Sequence, residues 1–296
     1  QGTGRTGLST VGQVAGAVTN IVLDPIMIFG YLGCPEMGVA GAAWATVIGQ
    51  IASGCLVIVY FVRFKKMGLT VEMLKPRGMY IKGILTLGMA SCINQIAMAI
   101  VQIVLNNTLR YYGSLSVYGS DIPLACVGVI AKVNMVFMAI CIGLAQGCQP
   151  IWGFNYGAGN YVRVRHTYKR SMQIALAVGG ICFVCFQVFP RHIVSIFGNG
   201  SKEYFRFAER YFRIYMFMTF VNGIHPVCSQ FFTAIGKATK GAVVSLTRQI
   251  LFLLPLIIIF PIFIGIDGVM YAGPIADGTA AVVAIVLARS EIKKMS

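Results

Sequence analysis

Asn20 and Asp24 stand four residues apart in the apolar stretch Thr10 to Gly30 and continue a spacing begun by Gly12 and Gly16. Residues four apart share one slowly drifting face of a helix. The pattern predicts a helix face with two small residues, then an amide, then a carboxylate. Small residues let a second helix approach closely. The amide oxygen and the carboxylate, at adjacent turns, are hard oxygen ligands of the kind that suit sodium, and a desolvated carboxylate also suits a proton. Pro25 removes a backbone donor and frees the carbonyl of Ile21, one turn back, as a further oxygen. A carboxylate in the middle of a membrane helix costs roughly 2.5 to 3.5 kcal/mol to insert, so it is kept where it faces water, a partner or an ion. The plain alternative is a structural Asp24, hydrogen-bonded to neighbouring helices.

A second polar set lies between residues 83 and 109. Positions 91, 95, 98, 102 and 106 fall on one helical face, placing Ser91, Gln95, Gln102 and Asn106 around Met98, with Asn94 beside them. Such a face lines a wet cavity, and Met and amide side chains suit a pocket that repacks around varied ligands. The competing reading is interhelical hydrogen bonding, worth roughly 0.6 kcal/mol each. Lys132 and Asp277 are two further charges in apolar stretches, expected to pair with each other or with amides such as Asn134. Either is also a candidate coupled charge, since burial shifts a pKa readily. His225, just before Pro226, is read as a helix-contact residue or a group titrating near neutral pH. Gln146 and Gln149 flank a Gly-rich stretch and are expected to cap a helix.

Catalytic chemistry is not expected. His166, His192 and His225 are far apart and form no metal-binding or nucleophile-base motif. The nine cysteines show no regular spacing. Cys182 and Cys185 form a C-x-x-C inside an apolar helix, with no second pair to make a metal site.

The elements that must position these residues are membrane helices. Hydrophobic residues make up 57% of the 296-residue chain and charged residues 11%, far from the roughly 25% charged of soluble domains, and the mean hydropathy is +0.77. A crossing needs about 20 mainly apolar residues. Eight windows meet that length: 10–30, 38–62, 83–109, 122–147, 171–189, 214–235, 249–266 and 268–288. Alternating ten-residue segments are absent, which argues against a membrane barrel. The net charge of +15 sits in loops, and 17 of the 24 basic residues, Arg248 among them, fall on one set of alternate loops. The positive-inside rule makes that face cytoplasmic, so the basic excess needs no nucleic acid. The stretch from Pro190 to Arg213 departs from the rule, with five basic residues on the outer side.

An internal repeat joins the first two spans to the last two. Pro25 precedes Gly38-Val39 by 13 residues and Pro255 precedes Gly268-Val269 by 13, and Lys65-Lys66 and Lys293-Lys294 close the two copies. Parallel repeats recur in transporters built from two equivalent halves, with sites near the midplane. The expected organisation is the end of one lobe over 1–64, a charged cytoplasmic linker over 65–82 and a complete six-helix lobe over 83–296. About four helices of a matching first lobe are then expected ahead of Gln1.

Several motifs resemble a known family. The run GLAQGCQPIWGFNYGAG from Gly143 to Gly159, followed by Arg163-Val164-Arg165, resembles the signature at the end of the eighth helix of multidrug and toxic compound extrusion (MATE) transporters. Asn20-Ile-Val-Leu-Asp24-Pro25 resembles that family's fifth helix, Gly41-Ala-Ala-Trp-Ala-Thr46 its sixth, and Pro274-Ile-Ala-Asp277 its twelfth in the bacterial branch. The resemblance implies an all-α, polytopic, two-lobed bundle of which about eight of twelve transmembrane helices are present. It implies a bacterial inner-membrane antiporter that exports organic cations against inward sodium or proton flow, and it places Asn20, Asp24 and Thr46 in the cation site. Partners are then cationic or amphipathic small molecules and the lipid bilayer, for a monomer with no cofactor beyond the transported Na+ or H+ and no metal. A lipid or lipid-linked oligosaccharide flippase of the same two-lobed plan is the alternative. It calls for several basic residues lining the cavity, as phosphate sites require, and the windows hold only Lys132.

Overall fold

The structure is a computed structural model that describes residues 6–63, 78–198 and 200–295. These fold as helices without a strand among the described residues and divide into two compact units, up to Ile81 and from Lys82 onward. The greater part of the expected linker, 65–82, lies outside the described residues.

The first unit is an antiparallel pair, α1 (Thr6–Phe29) and α2 (Gly38–Arg63). Small residues fix its spacing. A Cβ added at Gly16 would lie 2.9 Å from the Gly49 carbonyl oxygen, and one at Gly49 would lie 2.8 Å from that of Gly16. Nearer the turn, a Cβ at Gly41 would sit 2.3 Å from the Met27 carbonyl oxygen. The backbones therefore touch at two places along the pair. Gly30, at φ 75°, takes the left-handed conformation that ends α1, and the Met37 amide donates to the Met27 carbonyl at 3.1 Å to start α2.

The second unit begins within α3 (Gly78–Ser114) and continues through α4 (Asp121–Gly157), α5 (Tyr161–Val188) and the short α6 (Pro190–Ser195). Then come α7 (Lys202–Tyr215), α8 (Thr219–Asn222), α9 (Ile224–Ala234) and α10 (Ala238–Leu246). A π-helical turn, Thr247–Leu253, leads into α11 (Leu254–Ile264), and α12 (Ile266–Lys293) closes the chain. One core cluster gathers Leu109, Ile130, Phe137, Phe207, Tyr211 and Phe212. Another gathers Trp152, Val164, Phe231 and Phe232. The long α4 contributes to both: its 37 residues, about 55 Å at 1.5 Å per residue, exceed the roughly 30 Å hydrocarbon thickness.

Among the described residues, seven helical stretches are long and apolar enough to cross a membrane, one fewer than the windows read from the sequence. The missing one is 214–235, which is not a continuous helix. It is divided among the end of α7, α8 and α9. Pro226 has no N–H for the Asn222 carbonyl, and Met216 and Met218, at ψ 9° and 14°, part α7 from α8. On the facing α5, a Cβ at Gly179 would lie 2.8 Å from the Phe220 carbonyl oxygen, so that glycine admits the α8 backbone.

The outer-face exception to the charge rule has a structural reason. Helix α7 buries Phe207, Ala208, Tyr211 and Phe212 and exposes Arg206, Arg210 and Arg213. Arg210 pairs with Asp267 at 2.8 Å, Arg191 lies 3.7 Å from Glu209, and the Arg191 guanidinium sits 5.5 Å above the Phe205 ring. The bases here serve an amphipathic helix and its ties to neighbours. Gln146 and Gln149 are also placed differently from expectation: α4 runs past both to Gly157, so they are mid-helix residues and cap nothing.

Candidate functional site

Asn20 and Asp24 project from adjacent turns of α1, and Thr46 faces them from α2. The Asn20 Nδ2 donates to Asp24 Oδ1 at 3.4 Å and to Thr46 Oγ1 at 3.3 Å. Thr46 spends its own hydroxyl proton on the Ala42 carbonyl at 2.9 Å, leaving its oxygen an acceptor. Both contacts to Asn20 are long and weak. Asp24 and Asn20 are half-buried and Thr46 is exposed. Beside them runs a groove of about 300 Å³ lined by Gln13, Gly16, Asn20, Thr46, Gln50 and Ser53. Its floor is the place where Gly16 and Gly49 bring the backbones together. The packing that the glycines permit is what carries Thr46 to within reach of Asn20.

The polar stripe of α3 is divided in its roles. Gln95, Met98, Gln102 and Asn106 are exposed on one face, with Gln102 Nε2 donating to Asn106 Oδ1 at 3.2 Å. Asn94 instead accepts a 2.6 Å hydrogen bond from the Ser245 hydroxyl of α10 and so ties two helices together. The Ser91 side chain lies outside the described residues. Asn134, on α4, is half-buried with an Oδ1 that meets no partner.

Lys132 and Asp277 do not pair. Lys132 is exposed, while Asp277 accepts from Arg248 through both Nε and Nη2, each 2.6 Å from Oδ1. Arg248, assigned above to a cytoplasmic loop, lies inside the membrane-length stretch Ala238–Ile264, with its side chain 9% exposed and that of Asp277 5%. A carboxylate on α12 needs a counter-ion, and the π-helical turn presents Arg248 where Lys132 is out of reach. The one sequence signal for Arg248 is its place at the edge of the apolar run that starts at Gln249. His225 is a helix-contact residue, its Nε2 3.3 Å from the Val244 carbonyl. Cys182 and Cys185 carry free thiols. Missed in the sequence was Glu291, buried near the end of α12 and held by Lys237 and by Lys240 Nζ at 2.6 Å.

Membrane-length helices, glycine-mediated helix contacts and an amide, carboxylate and hydroxyl gathered across one helix pair define a polytopic helical membrane protein with a polar intramembrane site. The family described as MatE matches residues 90–259, more than half of the chain, and the chain belongs to that family. The family resemblance read from Gly143–Gly159 and the other motifs therefore holds. The chain is 25% identical over 281 residues to the multidrug export protein MepA of Staphylococcus aureus (strain MW2), covering 95% of this chain and 59% of that protein. It is 23% identical to MepA of Staphylococcus saprophyticus, with the same coverage. Among solved structures it matches the outward-facing conformation of a multidrug resistance MATE family transporter of the MOP superfamily, with a TM-score of 0.83 at 22% identity over 96% of this chain and 62% of that one. A MOP superfamily transporter from Pyrococcus furiosus matches with a TM-score of 0.82, also at 22% identity. These structural likenesses show the fold. The protein is a multi-pass protein of the bacterial plasma membrane, and the chain spans about 59% of the length of the curated relatives it matches.

Proposed function

We propose that this chain belongs to a secondary active antiporter that exports cationic or amphipathic small molecules in exchange for Na+ or H+, with Asn20, Asp24 and Thr46 as part of its ion site. The observation that carries the reading is the convergence of those three side chains across α1 and α2. A half-turn of the Asn20 amide exchanges Nδ2 for Oδ1 at the same position. The Asn20 oxygen then lies 3.4 Å from Asp24 Oδ1 and 3.3 Å from Thr46 Oγ1, close to the separation of neighbouring oxygens around a hard cation at about 2.3 to 2.6 Å from each. With a proton on Asp24 in place of the cation, the drawn amide orientation serves. The amide thus adapts the site to either ion. The names of the MepA relatives support export of drugs as the transport direction and cargo class. They also turn against the flippase alternative, for which no observation speaks. The exposed face of α3 at Gln95, Met98, Gln102 and Asn106, together with Asn134, is the substrate-contacting surface in this reading.

Exchange requires that ion and cargo bind the alternate states with different affinity, since equal affinity shifts nothing. An ion loading at Asp24 from outside weakens cargo binding, and its release to the cytoplasm resets the site. The test is export of a fluorescent organic cation by the full-length protein in efflux-deficient cells, with sodium and proton gradients imposed separately. Gradient-driven export that Asp24→Asn abolishes at unchanged expression supports the reading and names the ion. Undiminished export by that variant makes Asp24 structural.

A further inference from the structure

The two copies of the sequence repeat each place a polar rung across a helix pair, and the rungs differ in charge. In the first pair the helices touch at Gly41 against Met27. Asn20 lies seven residues before that contact and Thr46 five residues after it. In the last pair the touching point is Gly268, where an added Cβ would lie 2.5 Å from the Phe260 carbonyl carbon. Arg248 lies twelve residues before that point and Asp277 nine after it, about one turn deeper than the rung of the first pair. The first rung is neutral donors and acceptors beside a half-buried carboxylate whose charge no described basic side chain meets. The second rung is a carboxylate already holding a cation from its own chain.

We infer that Asp277 is a monovalent-cation site kept permanently filled by the tethered guanidinium of Arg248. Three features build it. The Leu254 amide donates to the Gln249 carbonyl five residues back, and the residue thus inserted turns the preceding segment by about 100° relative to an α-helical continuation. Arg248 and Gln249 are buried as a result. Pro255, without an N–H, holds the widened turn in place because it cannot restore the α-helical bond to Leu251. The Tyr215 ring presses on Gly273, one turn before Asp277, where an added Cβ would meet the ring. The Arg248 and Asp277 side chains are only 9% and 5% exposed, so the carboxylate requires a cation beside it to stay ionised, and the chain supplies one. Of the two rungs, only the first then has a carboxylate open to exchange, which restricts ion coupling to that rung if the proposed function holds.

Arg248→Ala in the full-length protein vacates the site while leaving the carboxylate. The expected result is a fall of roughly 10 °C in the unfolding temperature of the purified protein in detergent. Methylguanidinium chloride reverses it saturably, where N-methylglucamine chloride at equal ionic strength does not. Arg248→Gln/Asp277→Asn, with both charges gone, is expected to respond to neither salt. Should Arg248→Ala fold only when solubilised with methylguanidinium while the double variant folds without it, the meaning is the same. An Arg248→Ala protein as stable as the wild type, one indifferent to methylguanidinium, or a double variant that responds equally overturns the inference. So does a double variant that cannot fold in either salt, since the pair then serves packing. Transport supplies a separate arm. The double variant is expected to keep the wild-type ion dependence, whichever ion that is and whether or not Asp24 binds it. Loss of that dependence in folded protein also overturns the inference.

Discussion

At the scale of single residues, Asn20 is the member of the candidate site on which the other two depend, because it is hydrogen-bonded to both Asp24 and Thr46. Thr46→Val keeps the shape and removes the hydroxyl oxygen. We expect folded protein whose apparent affinity for the driving ion falls about five-fold, the equivalent of one hydrogen bond near 1 kcal/mol, read from the ion-concentration dependence of export. The amides of α3 separate in the same way. Asn94→Ala loses the 2.6 Å bond to Ser245 and is expected to lower the unfolding temperature with cargo range unchanged. Gln102→Ala, on the exposed face, is expected to change the range of exported cations at unchanged stability. Matched resistance profiles and unfolding curves check the pair. Asn20 and Asp24 were legible in the sequence because they sit on one helix, where spacing alone fixes their relation. The Asn20 to Thr46 contact was not, since it depends on how closely α2 approaches.

At the scale of elements, that approach is set by backbone contact at glycine. Gly49→Val must push the helices apart, because its Cβ would meet the Gly16 carbonyl oxygen at 2.8 Å and backbone cannot step aside. The expected cost is about 1 to 3 kcal/mol, together with loss of ion-driven export as Thr46 leaves Asn20. Gly54→Ala, on the same helix with nothing within 4 Å, is the control and is expected to leave export unchanged. A second element-level device joins the α9–α10 connection to the end of α12, where Glu291 meets Lys237 and Lys240. The Glu291 carboxylate raises the pKa of Lys237 above its ordinary 10.5. A raised pKa means the folded state holds the proton more tightly, so the contribution is complete below pH 10.5 and fades as pH rises through the raised value. Lys237 is partly exposed, which limits the gain to about 1 kcal/mol or less. Lys237→Met is therefore expected to lower the unfolding temperature slightly at neutral pH, and the difference from wild type is expected to shrink at pH values above 10.5.

At the scale of the molecule, the charge distribution predicts a topology that labelling can test. A single cysteine in place of Arg165, near the start of α5, is expected to react with an impermeant maleimide only after cells are permeabilised. One in place of Arg206, on the exposed face of α7, is expected to react in intact cells. The opposite pattern inverts the orientation and would put the basic α7 on the cytoplasmic side.

The sequence by itself determined that the chain crosses a membrane in helices, that two helix pairs repeat, and that one pair carries an amide and a carboxylate on a shared face. Those are properties of composition and of local periodicity, which act along a single helix. Only the tertiary structure decided that 214–235 is broken, that Arg248 leaves its expected loop to meet Asp277, and that Lys132 does not. The physical reason is that a buried charge takes whichever counter-ion the packing delivers. That delivery depends on a π-helical turn and on glycine contacts between helices far apart in sequence, relations that no spacing along one helix records.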